Sequence, residues 1–201
     1  MLCSVAVNAS HFRGGSLSWQ ATELDGDGLK NDVEITVKTA WRYSSPSSPT
    51  LQETHSGGGA SLAFTQISNV VDYINGTSSG ADYALRTTIF TASNLDPDIS
   101  YLVFYTSGDR ISNLQNNADG TWKIQTSIFM KDGNLAPIID LPIIYEVPKL
   151  QADGSSTLTD YTFSVSVTDP NADQIRYRLG TTDELGGGSN PAGISIDTNT
   201  G

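Results

Sequence analysis

Apolar and polar residues alternate at every second position in short runs along this chain, and this alternation restricts the fold to one built from β-strands. Within residues 33–41, for example, Val33, Ile35 and Val37 alternate with Glu34 and other polar residues. Successive side chains of a β-strand point to opposite faces, so this pattern predicts strands with one buried face. The same alternation occurs in residues 122–130, 161–168 and 175–179.

Two further runs, 83–91 and 101–106, are apolar on both faces and are predicted to be central strands. The best helical candidate, residues 67–74, is short and rich in β-branched residues, and no window shows a convincing helical period. Residues 44–60 contain two prolines and three consecutive glycines, which predicts a flexible surface loop. Short strands separated by turns and without helices predict an all-β sandwich fold.

Breaks in the pattern suggest how the chain is organised. Residues 1–10 are either the remnant of a secretion signal or an apolar N-terminal segment. Residues 131–137, K-D-G-N-L-A-P, interrupt any continuous strand ladder. We therefore predict an N-terminal β-sandwich over 11–132 and a second, Ig-like domain over 133–201. The last residues resemble a strand running into a turn, so this second domain is predicted to be incomplete.

The charge balance excludes several classes of function. The 201 residues include 11 Lys and Arg against 22 Asp and Glu, and the formal net charge is -11. Such an acidic chain repels a phosphate backbone, so we expect no nucleic-acid binding. There are two His and one Cys, too few for a His/Cys zinc site, and no apolar run approaches the roughly 18 residues of a membrane helix.

Catalytic signatures are also missing from the sequence. It has no G-x-S-x-G nucleophile elbow, no phosphate-binding G-x-x-x-x-G-K, and no general base with an orienting partner at recognisable spacing. We therefore expect a protein that is not an enzyme.

Four motifs in the second half of the chain occur in a characteristic order: N-L-A-P-I at 134–138, Y-T-F-S-V-S-V at 161–167, T-D-P-N-A-D-Q-I-R-Y at 168–177, and P-A-G-I-S-I-D-T-N-T-G at 191–201. This region resembles the Ig-like and dystroglycan-type cadherin-like modules of surface proteins. The resemblance implies an Ig-like sandwich that serves as a spacer or adhesion module outside the cell. The first domain resembles, more weakly, the N-terminal modules that precede such repeats in secreted proteins.

Residues 23–34, E-L-D-G-D-G-L-K-N-D-V-E, carry the strongest local signal for a metal site. They match an EF-hand loop at every position except the first, and alternate carboxylates suit Ca²⁺. The candidate ligands are Glu23, Asp25, Asp27, Asp32 and Glu34. The flanking segments are predicted strands, however, so a solvated acidic hairpin loop is the competing interpretation.

A second acidic turn contains Asp169, Asn171 and Asp173. In cadherin-like arrays such turns hold Ca²⁺ between neighbouring modules, which is what the resemblance implies here. The alternative is a tight turn in which Asp and Asn side chains bind their own backbone, since an isolated turn offers fewer ligands than Ca²⁺ prefers.

Two functional hypotheses follow from these observations. The first is a non-catalytic structural or adhesion segment of a larger secreted or cell-surface protein, stabilised by Ca²⁺, whose partners are other extracellular proteins or like domains. The alternative is a carbohydrate-binding module, in which aromatic rings form a face that stacks on glycans. The strand phase of the candidate aromatics favours core positions instead. These residues are Trp19, Trp41, Tyr101, Tyr105 and Trp122.

Overall fold

A computed structural model describes residues 12–24, 26–44, 46–57, 59–75, 82–108, 110–111, 117–140, 142–144, 162–190 and 192–201. Within these ranges the chain is all-β, as predicted, apart from one short 3₁₀ turn at Lys131–Gly133. The strands are β1 (Phe12–Thr22), β2 (Asp32–Arg42), β3 (Gln52–His55), β4 (Thr65–Ile74), β5 (Tyr83–Ala92), β6 (Tyr101–Ser107), β7 (Trp122–Ile128), β8 (Ile138–Asp140) and β9 (Ser166–Thr168).

These strands form three antiparallel sheets. The largest has the order β1-β2-β5-β4, the second has the order β3-β6-β7, and β8 pairs with β9. The two runs predicted to be central strands, β5 and β6, each lie between two neighbours. The buried residues of the first two sheets form one hydrophobic cluster, so these sheets make a sandwich around a shared core.

An aromatic cluster lies at the centre of this core. The Phe12 ring stacks on the Trp122 ring with centroids 3.6 Å apart, and Tyr105 meets Trp122 edge-on at 4.8 Å. Trp41 contacts both Phe12 and Trp122 edge-on, with centroids at 5.3 and 5.7 Å. Because edge-on aromatic pairs add to the free energy of burial, this cluster is a principal link between the two sheets.

One side of the sandwich is closed where β1 of the first sheet meets β7 of the second. The indole N–H of Trp19 on β1 donates to the carbonyl oxygen of Ser127 on β7 at 2.9 Å. Phe12, at the start of β1, also forms a parallel bridge with Arg110. Strand β1 therefore packs beside the second sheet at these points.

One sequence-based expectation for the first half of the chain is corrected, and one segment without a predicted element is assigned to a strand. The predicted flexible loop 44–60 contains strand β3, which pairs with β6, and its residues Pro49 and Leu51 are buried. The helical candidate at 67–74 belongs to strand β4, as its β-branched composition favours once β5 supplies a partner.

Two segments in the second half of the chain that were predicted to be strands, 175–179 and 194–197, are irregular in the structure. Residues 175–179 are not a strand, because a strand needs a ladder of hydrogen bonds to a neighbour. The backbone bond found there, among the described residues, runs from Tyr177 N–H to Thr198 O at 3.0 Å. Residues 194–197 are likewise irregular, although the predicted turn follows them: the Asp197 carboxylate accepts the Thr200 N–H at 2.8 Å.

The segment around residue 184 contacts strand β7. Lys123 Nζ on β7 lies 2.7 Å from the Asp183 carboxylate, and the guanidinium of Arg178 donates to both Glu184 carboxylate oxygens at 2.6 Å. The Arg178 hydrogen bonds, aided by the Thr181 N–H, lower the pKa of Glu184 to about 2.

The division into two domains at residues 132 and 133 stays a prediction, and the predicted signal remnant at 1–10 lies outside the described residues.

No helix in the described part of the chain has the length and apolar character needed to cross a membrane.

Candidate functional site

Asp32, a predicted calcium ligand, is fully buried and serves as a hydrogen-bond acceptor for two separate loops. Its Oδ2 accepts the Leu24 N–H at 2.5 Å, and its Oδ1 accepts the Asn94 N–H at 2.9 Å. Asn94 has a left-handed backbone with φ of 59°. Asp32 therefore holds the β1–β2 loop against the connection that leaves β5.

The tip of the β1–β2 loop is a tight turn. The Asp27 carboxylate accepts the Leu29 N–H at 2.7 Å, and both Gly26 and Gly28 have φ of 81°. A side chain at either glycine would be strained in this left-handed region, so glycine is required here. Asp25, which precedes Gly26 in the candidate metal loop, lies outside the described residues.

The two glutamates of the candidate loop lie at its ends. Glu23 is exposed just after β1. Glu34 lies on β2 opposite Gln20, and its carboxylate accepts the Gln20 amide N–H at 2.9 Å. Among the described residues, no three His, Cys, Asp or Glu side chains are grouped as a metal site would require. Calcium binding by residues 23–34 stays a prediction, because Asp25 belongs to it.

The second acidic turn also makes hydrogen bonds within the chain. The Asp169 carboxylate accepts the N–H groups of Asn171 and Asp173 at 2.8 and 3.0 Å. The Asn171 side chain accepts the Leu135 N–H at 2.8 Å and so attaches the turn to the segment that follows the 3₁₀ turn. A calcium role for Asp169, Asn171 and Asp173 stays a prediction.

Strand β3 carries a titratable pair that the sequence reading missed. His55 Nδ1 lies 3.0 Å from Glu53 Oε2, and His55 Nε2 lies 3.2 Å from the Gly59 carbonyl oxygen. The hydrogen bond to Glu53 is the main cause that raises the pKa of His55 above its ordinary value, while desolvation opposes it. The signal was an acid and a histidine two residues apart, which share a face only if the segment is a strand.

The five aromatic residues proposed for sugar stacking are all buried in the core, as their strand phase predicted. They are therefore unavailable as a surface face for glycans. The exposed aromatic pair is a different one: the rings of Tyr43, just after β2, and Tyr73 on β4 lie 4.9 Å apart.

Strand β4 presents the most apolar exposed surface of the sandwich. Ile67, Val70 and Tyr73 are 56%, 51% and 53% exposed, and Ile74 at its end is also exposed. Among the described strands, β4 pairs only with β5 and forms the outer strand of the four-stranded sheet. Val70 and Tyr73 point to opposite faces of the sheet, so this edge strand exposes apolar side chains on both sides, which is typical of an edge that pairs with a partner.

Comparison with known proteins assigns more than half of the chain to a family. The sequence model of a family described as "Integrin beta-like protein A-E, N-terminal" matches residues 13–131, more than half of the chain. The chain belongs to this family. The matched range ends before residue 134, where the resemblance to cadherin-like modules begins, so that finer assignment stays a prediction.

Relatives of the same name occur in Dictyostelium discoideum. Integrin beta-like protein C is 29% identical over 153 residues, which cover 73% of this chain and 8% of that protein. Integrin beta-like protein A is 22% identical over 215 residues, and protein B is 25% identical over 214 residues. The latter two alignments cover 98% and 100% of this chain but 10% of each relative. The chain thus spans about a tenth of these relatives. No solved structure matches it.

Proposed function

We propose that this chain is a non-catalytic extracellular module that contributes to adhesion by contacting other proteins. Its membership in the integrin beta-like N-terminal family is the observation that carries this proposal. The names of the relatives liken them to a chain of adhesion receptors, and none of these names describes an enzyme.

The structure supports a role in protein contact more than one in glycan binding. The aromatic residues that would carry the carbohydrate-binding alternative fill the core, whereas Ile67, Val70 and Tyr73 on β4 are exposed. Exposed apolar side chains on a regular element suit contact with a folded protein surface.

The location and the adhesive role are tested together on cells that produce the longer protein containing this chain. An antibody against the folded sandwich is expected to label intact cells, and beads coated with the purified chain should adhere to them. Beads carrying an equally acidic, unrelated β-sandwich at the same density are the control. Labelling that appears only after permeabilisation would contradict the extracellular location, and equal retention of both bead types would contradict the adhesive role.

Calcium stabilisation by the β1–β2 loop is a separate proposal, supported by its acidic spacing and its left-handed Gly26 and Gly28. Calcium at about 100 times its Kd would add about 2.7 kcal/mol to the free energy of unfolding, which raises Tm by several degrees. We expect this shift in thermal unfolding with calcium against chelator, and its loss in the Asp25→Asn, Asp27→Asn double variant.

The Asp169→Asn, Asp173→Asn variant is the matched control, since it removes the same charge from the other acidic turn. If the shift is lost there instead, the second turn is the calcium site. An identical Tm in calcium and in chelator would rule out a stabilising site in either turn. Asp32 is unsuitable as a probe because its carboxylate already holds Leu24 and Asn94.

A further inference from the structure

We propose that strand β4 pairs antiparallel with β4 of a second copy of this chain, which joins two four-stranded sheets into one continuous sheet. The second copy would be a partner in the adhesive role, so the biological meaning of this pairing rests on the proposed function. The pairing itself requires only the open edge of the sheet.

The other long strand at an edge of the four-stranded sheet, β1, packs beside the second sheet within the described residues. Its Trp19 indole N–H donates to Ser127 O on β7, and Phe12 forms a bridge with Arg110. Strand β3 has only four residues, and the segment after it folds back beside it. There Glu53 Oε1 accepts the Leu62 N–H at 3.3 Å and His55 contacts the Gly59 carbonyl. Among the described strands, β4 is thus a long edge strand with one neighbour and exposed side chains.

Strand β4 also carries few of the features that prevent natural edge strands from pairing with another chain. Its ten residues, T-Q-I-S-N-V-V-D-Y-I, include no Lys, Arg, Pro or Gly and a single charge, Asp72. Edge strands are usually protected by such residues or by a bulge. A bulge is present between Gln66 and Ser68, but residues 68–74 pair regularly with β5. This regular part spans about 23 Å of unpaired backbone edge.

Two copies of β4 can run antiparallel about Val70 without placing like charges opposite each other. In that register Val70 faces Val70, Asn69 faces Val71, and Ser68 faces Asp72 as a hydrogen-bond partner. The two Asp72 carboxylates are then four residues apart along the sheet, about 13 Å, which exceeds the Debye length of about 8 Å at physiological salt. The register therefore creates no close repulsion between like charges.

Charge makes the pairing of two copies distinguishable from the docking of a basic partner. Each copy carries a net charge of -11, so two copies repel at long range although the strand itself is nearly uncharged. Salt screens this repulsion and should strengthen self-association, whereas it would weaken contact with a basic protein. A strand pair alone is smaller than a standard interface, so we expect a weak, concentration-dependent dimer.

Sedimentation velocity of the purified chain, from about 5 µM to about 0.5 mM, measures this association. We expect a dimer that grows with concentration and is more populated at about 0.3 M than at about 0.05 M salt. Val70→Lys should weaken dimerisation at least about tenfold, because the two lysines would face each other across the two-fold axis. Val70 is half exposed, so circular dichroism should show the variant folded.

Leu29→Lys is the matched control, since Leu29 is 59% exposed in the β1–β2 loop, outside β4. A cross-linking test reports the register directly. With Cys3 replaced by Ser, the Val70→Cys variant should form an intermolecular disulfide much faster than the Leu29→Cys variant. A monomer at every concentration, equal weakening by both lysine substitutions, or equal cross-linking rates would overturn the proposal. A monomeric result would leave the cell-labelling and bead experiments to decide the adhesive role independently.

Discussion

Replacing Trp122 by alanine is expected to lower the free energy of unfolding by about 3–5 kcal/mol. The indole is buried against Phe12 and Tyr105, with ring centroids at 3.6 and 4.8 Å, and links the two sheets. Its N–H also donates to the Gly108 carbonyl at 2.9 Å, which would lose its partner. The total free energy of unfolding of a domain of this size is only about 5–15 kcal/mol, so the variant should unfold at a much lower urea concentration.

Urea unfolding followed by far-UV circular dichroism measures this loss, since the substitution removes a fluorescent reporter. Trp122→Phe is expected to lower the free energy of unfolding by less than Trp122→Ala, because it keeps an aromatic ring beside Phe12. Tyr43→Ala, at an exposed ring, should change the free energy of unfolding by about 0.5–1 kcal/mol. If Trp122→Ala and Tyr43→Ala have the same midpoint, the aromatic cluster does not join the sheets as described.

Asp32→Ala is expected to cost about 2–4 kcal/mol, because a buried carboxylate that accepts two backbone N–H groups is lost. Both donors, Leu24 and Asn94, lie in loops that the carboxylate holds together. Hydrogen exchange gives the local readout: the Leu24 and Asn94 amides should exchange faster in the variant. The midpoint of urea unfolding reports the loss of stability of the whole domain.

Two variants separate this role from a general effect of charge. Asp32→Asn keeps the shape but turns one acceptor into a donor that faces a backbone N–H, so it should be destabilising as well. Asp27→Ala removes an exposed carboxylate that accepts one local N–H, and should cost about 1 kcal/mol or less. Unchanged exchange at Asn94 in Asp32→Ala would contradict the role we assign to Asp32.

The strands of the sandwich were predictable because their signal is local. Alternation of side chains along β2, and apolar character on both faces of β5 and β6, depend only on neighbours in sequence. The burial of the five aromatics in the core followed from the same phase, as did the all-β class. A period of two residues is a direct consequence of the extended backbone, so the sequence carries it without knowledge of the partner strand.

The pairing of those strands was decided by contacts between distant residues. Strand β3 could not be recognised within 44–60 because only pairing with β6 makes Gln52–His55 a strand. The same limit produced the wrong strand at 175–179, where the alternation is present but a ladder of hydrogen bonds is not.

The roles of individual polar residues depended on the same long-range geometry. Asp32 was a spare candidate ligand of the acidic loop, yet it accepts a hydrogen bond from Asn94, 62 residues away in sequence. Among the described strands, the open edge of β4 exists only because the sheet ends there. Local periodicity therefore determined which segments are strands, while tertiary packing determined which carboxylates are buried and which edge remains for a partner, because both depend on what lies across the fold.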